Sequence, residues 1–384
     1  MNRRDLIRWS AAGFCGANLG GAFWRKAYAA PAVAGPSPYG PLAATPDANG
    51  LRLPAGFTSR VVAVTGAPVG PTNYIWHAAP DGGACFPQSD GGWIYTSNSE
   101  VPLIGGASMI RFGADGALVS ARNILAGTNV NCAGGPTPWG TWLSCEEWEL
   151  GQVWECYLDG RPAQRRSALG TFAHEAVAVD PVARRLYLTE DQSDGRFYRF
   201  TPSAWPSLAS GQLHAASVRW DDSRKMSGRI QWNRVPEAAS ARFWPVSTYT
   251  TGFRGGEGCW YDAGQIYFST KGDNRVWAYS AGSGRLEVIY DAATSPGSPL
   301  QGVDNLVVSR GGDIYVAEDG GDLQICLITP GRVVSAFSQL VGHDNSEITG
   351  PAFNPAGNRL YFSSQRGSNG LGVTFEVTGP FRNS

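Results

Sequence analysis

Apolar and polar positions along the chain follow one recurring unit. A short strand of β-branched and aromatic residues leads through polar residues and a Gly- or Asn-containing turn into a second aromatic strand. Its instances are Trp93-Ile94-Tyr95-Thr96-Ser97, Thr141-Trp142-Leu143-Ser144-Cys145 and Arg185-Leu186-Tyr187-Leu188-Thr189. Then come Gln265-Ile266-Tyr267-Phe268-Ser269, Asp313-Ile314-Tyr315-Val316-Ala317 and Arg359-Leu360-Tyr361-Phe362-Ser363. With the third residue of each as marker, the intervals are 48, 44, 80, 48 and 46 residues. Four of these match the period of a four-stranded propeller blade. The long interval carries an insertion, about 201–246, rich in Trp and Ser and expected to form a loop or lid. An early strand around 57–64 is expected to complete the last unit and close the ring. The pattern predicts an all-β fold, a six-bladed β-propeller over 51–384. An irregular β-sandwich is the competing arrangement, and it leaves the regular period without a cause.

Composition agrees. Of 384 residues, only 16% are charged, while Gly (50), Pro (25) and Trp (14) are abundant, which disfavours long helices and suits a packed β core. With 31 Lys+Arg against 32 Asp+Glu the formal net charge is −1, so nothing in the charge argues for nucleic acid or an anionic membrane as partner. No segment supplies the roughly 20 unbroken apolar residues of a membrane-spanning helix. The expected state is a monomer.

The N-terminus is a separate segment. Arg3-Arg4 precede a Gly/Ala-rich apolar stretch from Trp9 to Phe23, and Ala27-Tyr28-Ala29 has a small-x-small cleavage pattern. Residues 1–29 therefore read as a signal peptide, and the paired arginines as a twin-arginine signal. This implies the twin-arginine export machinery as a partner and a periplasmic or secreted location. Residues 30–50 read as a Pro/Ala/Gly-rich leader, extended and loosely held. Cys145 and Cys156 flank a hairpin turned near Leu150-Gly151. That placement puts them opposite each other, as a disulfide or as two unbridged neighbours.

The repeat register also locates candidate chemistry. Three residues past the markers stand Asn98, Glu146, Glu190, Thr270, Glu318 and Ser364, followed by Ser99, Glu147, Asp191, Lys271, Asp319 and Gln365. The ends of these strands adjoin the starts of the innermost strands, at His174-Glu175, Glu257-Gly258, Asp304-Asn305 and Glu347-Ile348-Thr349. In the second unit the corresponding stretch is Asn131-Cys132-Ala133-Gly134-Gly135. Two sets of polar residues thus converge on one mouth of the channel. So many carboxylates around a narrow channel are costly unless cations neutralise them. Hard oxygen ligands favour Ca2+ or magnesium, and a thiolate at Cys132 favours iron or zinc. Candidate metal ligands are Cys132, Glu146, Glu147, Glu175, Glu190, Asp191, Glu257, Asp304 and Glu318. The plainer reading is that such residues bond loop backbones and water. Candidate phosphate-binding cations are Arg254, Lys271 and Arg366; for Lys271 and Arg366 a salt bridge with nearby acids is the plainer role. His174 reads as an orienting partner, while His77, His214 and His343 suggest no chemistry.

Residues 131–142, N-C-A-G-G-P-T-P-W-G-T-W, followed by Leu143-Ser144-Cys145-Glu146-Glu147, resemble the hallmark of the PhoX-type alkaline phosphatases. The resemblance continues in His174-Glu175, in Thr189-Glu190-Asp191 with Phe197-Tyr198-Arg199-Phe200, and in Arg254-Gly255-Gly256-Glu257-Gly258. It implies a six-bladed propeller with a mixed Fe(III)–Ca2+ cluster that hydrolyses small-molecule phosphate monoesters. On that resemblance Cys132 is the iron ligand, Glu146, Glu175 and Glu257 are cluster carboxylates, and Arg254 lies near the phosphate as a catalytic cation. Lys271 is the second candidate for that catalytic role. Two other readings use the same scaffold: a calcium-dependent lactonase or sugar-acid hydrolase, and a non-catalytic binding propeller rigidified by calcium. The first leaves Cys132 and the excess carboxylates without a role, and the second predicts tight calcium binding and no turnover.

Overall fold

The computed structural model describes residues 30–243 and 250–383. The expected signal peptide, 1–29, lies outside the described residues, as do the last three residues of the expected insertion. The regular structure of the remainder is almost entirely strand, with four short 3-10 turns. Among the described residues no helix is long and apolar enough to cross a membrane.

Each marker motif is the second strand of an antiparallel unit. The first unit runs Pro80–Pro87, Trp93–Ser99, Gly105–Phe112 and Leu118–Thr128; the second runs Asn131–Pro136, Thr141–Glu146, Val153–Tyr157 and Gln164–Arg165. His174–Asp180, Arg185–Glu190, Phe197–Ala204 and Ser207–Trp220 follow. Then come Gly256–Asp262, Gln265–Thr270, Arg275–Ser280 and Arg285–Asp291. Val303–Val308, Ile314–Glu318, Gln324–Ile328 and Val333–Leu340 form the next sheet. The last unit is Ile348–Phe353, Arg359–Ser364 and Val373–Thr378, completed by the early strand Thr58–Val64. Joining the two ends of the chain in one sheet removes the edge that an open ring would expose.

The arrangement is an all-β propeller. The innermost strands neighbour one another in a closed cycle: Pro80–Pro87, Asn131–Pro136, His174–Asp180, Gly256–Asp262, Val303–Val308, Ile348–Phe353 and back to the first. Hydrogen bonding divides the propeller into five sheets rather than one per repeat. The cause is the insertion. Instead of a loop or lid it continues the sheet as Ser207–Trp220 and Ser227–Arg234, and the latter pairs with Arg285–Asp291, fusing two units into nine strands.

The inner strands approach backbone to backbone, and glycine permits it. A Cβ on Gly135 would stand 1.7 Å from the Val177 carbonyl oxygen, and one on Gly82 would stand 2.5 Å from the Cα of Ala133. The marker residues Tyr95, Leu143, Tyr187, Tyr267, Tyr315 and Tyr361 are fully buried between sheets. They seal the core layers around the channel, each layer adding roughly 2 kcal/mol per large buried side chain.

Two local expectations are corrected. The leader is held: Ala32 is buried, Val33–Ala34 pairs in parallel with Val333–Val334, and Leu51–Arg52 joins the same strand. Cys145 lies opposite Val153 and Cys156 opposite Trp142, and both thiols are free. The turn falls earlier than expected because Gly151 bends back on Trp148, its N–H donating to the Trp148 carbonyl at 2.8 Å.

Candidate metal centre

All six inner strands break register at the same level. The shifts fall between Pro80 and Gly83, Asn131 and Gly134, His174 and Val177, Gly256 and Cys259, Val303 and Leu306, and Thr349 and Ala352. A bulge leaves residues unpaired and re-aims a side chain. The residues that begin the bulged pairs are Asp81, Cys132, Glu175, Glu257, Asp304 and Gly350. Five of the six carry an acidic or thiol side chain, all of them buried. The repeated bulge is therefore the device that gathers the site.

Side chains of the second strands hold these bulges across unit boundaries. The Thr189 hydroxyl donates to the Glu257 carbonyl and the Ser269 hydroxyl to the Asp304 carbonyl, both at 2.5 Å. The Asn98 amide donates to the carbonyls of Cys132 and Ala133 at 3.1 and 2.7 Å. In these three places one unit thus fixes the bulge of the next.

Two groups of donors form within the pit: Cys132, Glu147 and Glu175; and Glu175, Glu257 and Asp304, with ligand atoms in each group within 4.8 Å of one another. Glu175 belongs to both. Its Oε1 accepts from the Cys132 thiol at 3.3 Å and from the Asn305 amide at 3.2 Å. Its Oε2 is buried without a hydrogen-bond partner among the described residues. Burial first, then the charges of Glu257 and Glu147, pushes Glu175 far above the ordinary carboxylate range. Asp81, Glu257 and Asp304 are raised in the same way. Burial and neighbouring acids also push the Cys132 thiol up. Glu147 is pushed up to about 9 by burial and by its hydrogen bond with Asp191.

Lys271 answers part of this charge. Its Nζ lies 2.7 Å from Asp191 and 2.8 Å from Glu257. Burial alone would lower its pKa, but the two carboxylates hold it well above the ordinary lysine value. Arg366 pairs with Glu347 on the opposite side of the mouth. Arg254 is exposed, and its backbone carbonyl accepts the Gly272 N–H at 2.9 Å, which ties it to the Lys271 turn.

Three expected ligands are engaged elsewhere. Glu146, Glu190 and Glu318 end their strands by accepting the backbone N–H six residues on: Gln152 at 3.0 Å, Arg196 at 2.9 Å and Gln324 at 3.0 Å. Glu146 and Glu318 also accept the N–H of Asn129 and Gln301. Glu190 faces the guanidinium groups of Arg196 and Arg242 instead. The plainer reading thus accounts for this position, where a carboxylate that pins a hairpin loop points away from the axis. Glu318→Ala is expected to cost about 2–3 kcal/mol of stability, the worth of hydrogen bonds to a charged acceptor. Denaturant unfolding should show that loss while the metal content stays unchanged.

Other acids of the mouth were not among the expected ligands. Asp81 receives the Gln365 amide at 2.5 Å, and its pKa is raised by burial and by Glu100 and Glu347. Its signal was in the sequence: Asp81-Gly82 repeats the acid-Gly pair of Glu257-Gly258 at the start of an inner strand. Glu100 and Glu347 complete the rim, the latter pushed up to about 7 by burial. His174 is buried, with Nε2 3.1 Å from the Gly170 carbonyl, consistent with an orienting role.

Fold and pit together define a β-propeller with an axial candidate metal site. Residues 91–160 and 159–259 match the family described as alkaline phosphatase PhoX, so the resemblance carried by 131–147 is borne out. The matched stretch contains Cys132, Glu147, Glu175 and Glu257. Among solved structures, PhoX of Pseudomonas fluorescens in complex with vanadate, a transition-state analogue, is similar. It superposes with a TM-score of 0.74 at 15% identity, over 91% of this chain and 98% of that one. A structural genomics protein of unknown function from Bacteroides thetaiotaomicron is similar at a TM-score of 0.54 and 10% identity, over 84% of this chain and 76% of that one. None of the curated proteins searched by sequence matches the chain.

Proposed function

We propose that this chain is a metal-dependent phosphomonoesterase of the alkaline phosphatase type, built on a six-bladed propeller. The closed cycle of six inner strands supports the blade count, with the nine-stranded sheet taken as two blades bridged by the insertion. The observation that carries the activity is the row of aligned bulges delivering Asp81, Cys132, Glu175, Glu257 and Asp304 to one pit, largely within the segment that matches the PhoX family.

The residues fit a resident metal cluster. Among the described residues Glu175 Oε2 is buried and unpartnered, and the surrounding acids repel one another with Lys271 and Arg366 offsetting only part of their charge. Cys132, with Glu147 and Glu175, adds a thiolate to two carboxylates and suits iron, here Fe(III), and the all-carboxylate group suits Ca2+. When bound, such ions supply neutralisation of the non-bridging phosphoryl oxygens and activation of the attacking water. The protein's own contribution is positioning. The bulge clamps from Thr189, Ser269 and Asn98 fix the donors before substrate arrives. Lys271, held between Asp191 and Glu257, and the exposed Arg254 on the adjoining turn provide cations at the lip for a phosphate monoester. Export through the twin-arginine machinery to the periplasm, as a monomer, completes the reading.

The test is elemental analysis of protein from the export compartment together with hydrolysis of a chromogenic phosphate monoester, with and without a calcium chelator. Iron and calcium are expected together. Turnover should be abolished by the chelator and reduced at least ~100-fold in Cys132→Ala, equivalent to ~3 kcal/mol. Calcium alone with no phosphate release would overturn the reading.

A further inference from the structure

A second concentration of unpaired charge lies at the other end of the third unit, and its sign is opposite. Tyr187, Arg199, His214 and Arg234 are direct cross-strand partners on four neighbouring strands. Their side chains therefore leave one face of the sheet. Arg185 joins them two residues before Tyr187, opposite Asp180. Trp232, on the same face opposite Ala216, lies beneath Arg199, whose guanidinium carbon is 4.7 Å from the ring centroid.

Acids near this row are occupied. Asp180 accepts the backbone N–H groups of Val182 and Ala183 at 2.9 and 2.8 Å. Glu190 and Asp194 face Arg196 and Arg242. Burial first, then the charges of Arg199, Arg185 and Arg234, pushes the pKa of His214 down. Like charges directly opposite one another destabilise a sheet. Three buried polar atoms of this face have no hydrogen-bond partner among the described residues: Arg199 Nε, His214 Nδ1 and Tyr187 Oη. They sit on adjacent strands of one face.

We propose that this face is a second anion site that takes a tetrahedral oxyanion, either free orthophosphate or the phosphoryl end of an ester. Guanidinium forks match such oxyanions in pairs, and a dianion offsets the excess of the arginines over Asp180. The site is separate from the acidic mouth. Glu190 pairs with His174 at the mouth, whereas Arg185 pairs with Asp180 at the far end of the same strands. The three residue steps from Tyr187 to Glu190 span roughly 10 Å. Its existence does not depend on the chemistry of the mouth.

Calorimetric titration of inorganic phosphate into the metal-loaded protein at low ionic strength tests it. Arg234→Gln, at an exposed position, is expected to weaken one phosphate site at least ~10-fold, and Arg199→Gln to remove it. Monoester hydrolysis should be retained in Arg234→Gln. Sulfate should compete and chloride at equal ionic strength should not. In phosphate-free buffer, Arg234→Gln should melt no lower than the parent, because one of the cations gathered around His214 is removed. Competition by a non-hydrolysable phosphonate would assign the phosphoryl end as ligand, and response to orthophosphate alone would assign the free anion. Unchanged phosphate stoichiometry in both variants, displacement by chloride as effective as by sulfate, or a lower melting temperature for Arg234→Gln would each overturn the proposal.

Discussion

Glu175→Gln is expected to abolish most turnover while making the metal-free protein more stable. Glu175 belongs to both donor groups of the pit, so its neutralisation weakens both at once. Losing one shared carboxylate from a site that stabilises transition-state charge is worth several kcal/mol, which corresponds to ~100-fold or more in rate. Stability should move the other way in the presence of a chelator. In the wild type, burial and the charges of Glu257, Glu147 and Asp304 all oppose ionisation of Glu175. Among the described residues its Oε2 has no hydrogen-bond partner to offset that cost. A glutamine keeps the shape, still accepts from Asn305 through its amide oxygen, and removes the repulsion. The chelated variant is expected to melt about 2 °C or more above the chelated wild type, while the loaded wild type melts highest. Calorimetry of the four samples checks this. A destabilised chelated variant would mean that Glu175 is an ordinary buried hydrogen-bonding residue rather than a carboxylate kept for a cation.

The sequence was informative about this site in proportion to how local each signal is. The markers Tyr95 to Tyr361 were legible because a buried strand must alternate and its period survives in one dimension. Cys132, Glu175, Glu257 and Asp304 were legible because each begins an inner strand, so the register carried them to one level. Glu146, Glu190 and Glu318 share that level but not that direction. Whether an end-of-strand carboxylate faces the axis or bends back to a loop amide depends on the hairpin that follows it, which residue type alone does not encode. The same limit explains the insertion. Its Trp-rich polar composition suggested a loop, whereas pairing with Arg285–Asp291 turned it into the strands that fuse two units. Long-range pairing partners decide that outcome, and a single strand does not name its partner.

Metal-free protein is expected to lose stability as pH rises, and metal-loaded protein is not. The sign follows from which state holds protons. Unfolded carboxyls titrate near about 4.3. In the folded pit Glu347 is pushed up to about 7 and Glu147 up to about 9, both by burial first. Asp81, Glu175, Glu257 and Asp304 are also raised well above the ordinary range, by burial first and then by neighbouring carboxylates. Between those limits the folded state keeps protons that the unfolded state has released, so stability declines by about 1.4 kcal/mol per pH unit for each such group. The decline begins above the unfolded value, slackens past about pH 7 as Glu347 ionises and slackens again past about pH 9 as Glu147 follows. Bound cations replace those protons, so loading should flatten the profile and the gap between loaded and chelated melting temperatures should widen with pH. Melting curves at about pH 5, 7 and 9, with chelator or with iron and calcium, measure that gap. Glu147→Gln in the chelated series should lessen the slope by about 1.4 kcal/mol per pH unit between the unfolded carboxyl value and about pH 9. Parallel loaded and chelated profiles would place the metals somewhere other than this pit, because the pit is where the described residues bury these carboxylates against one another.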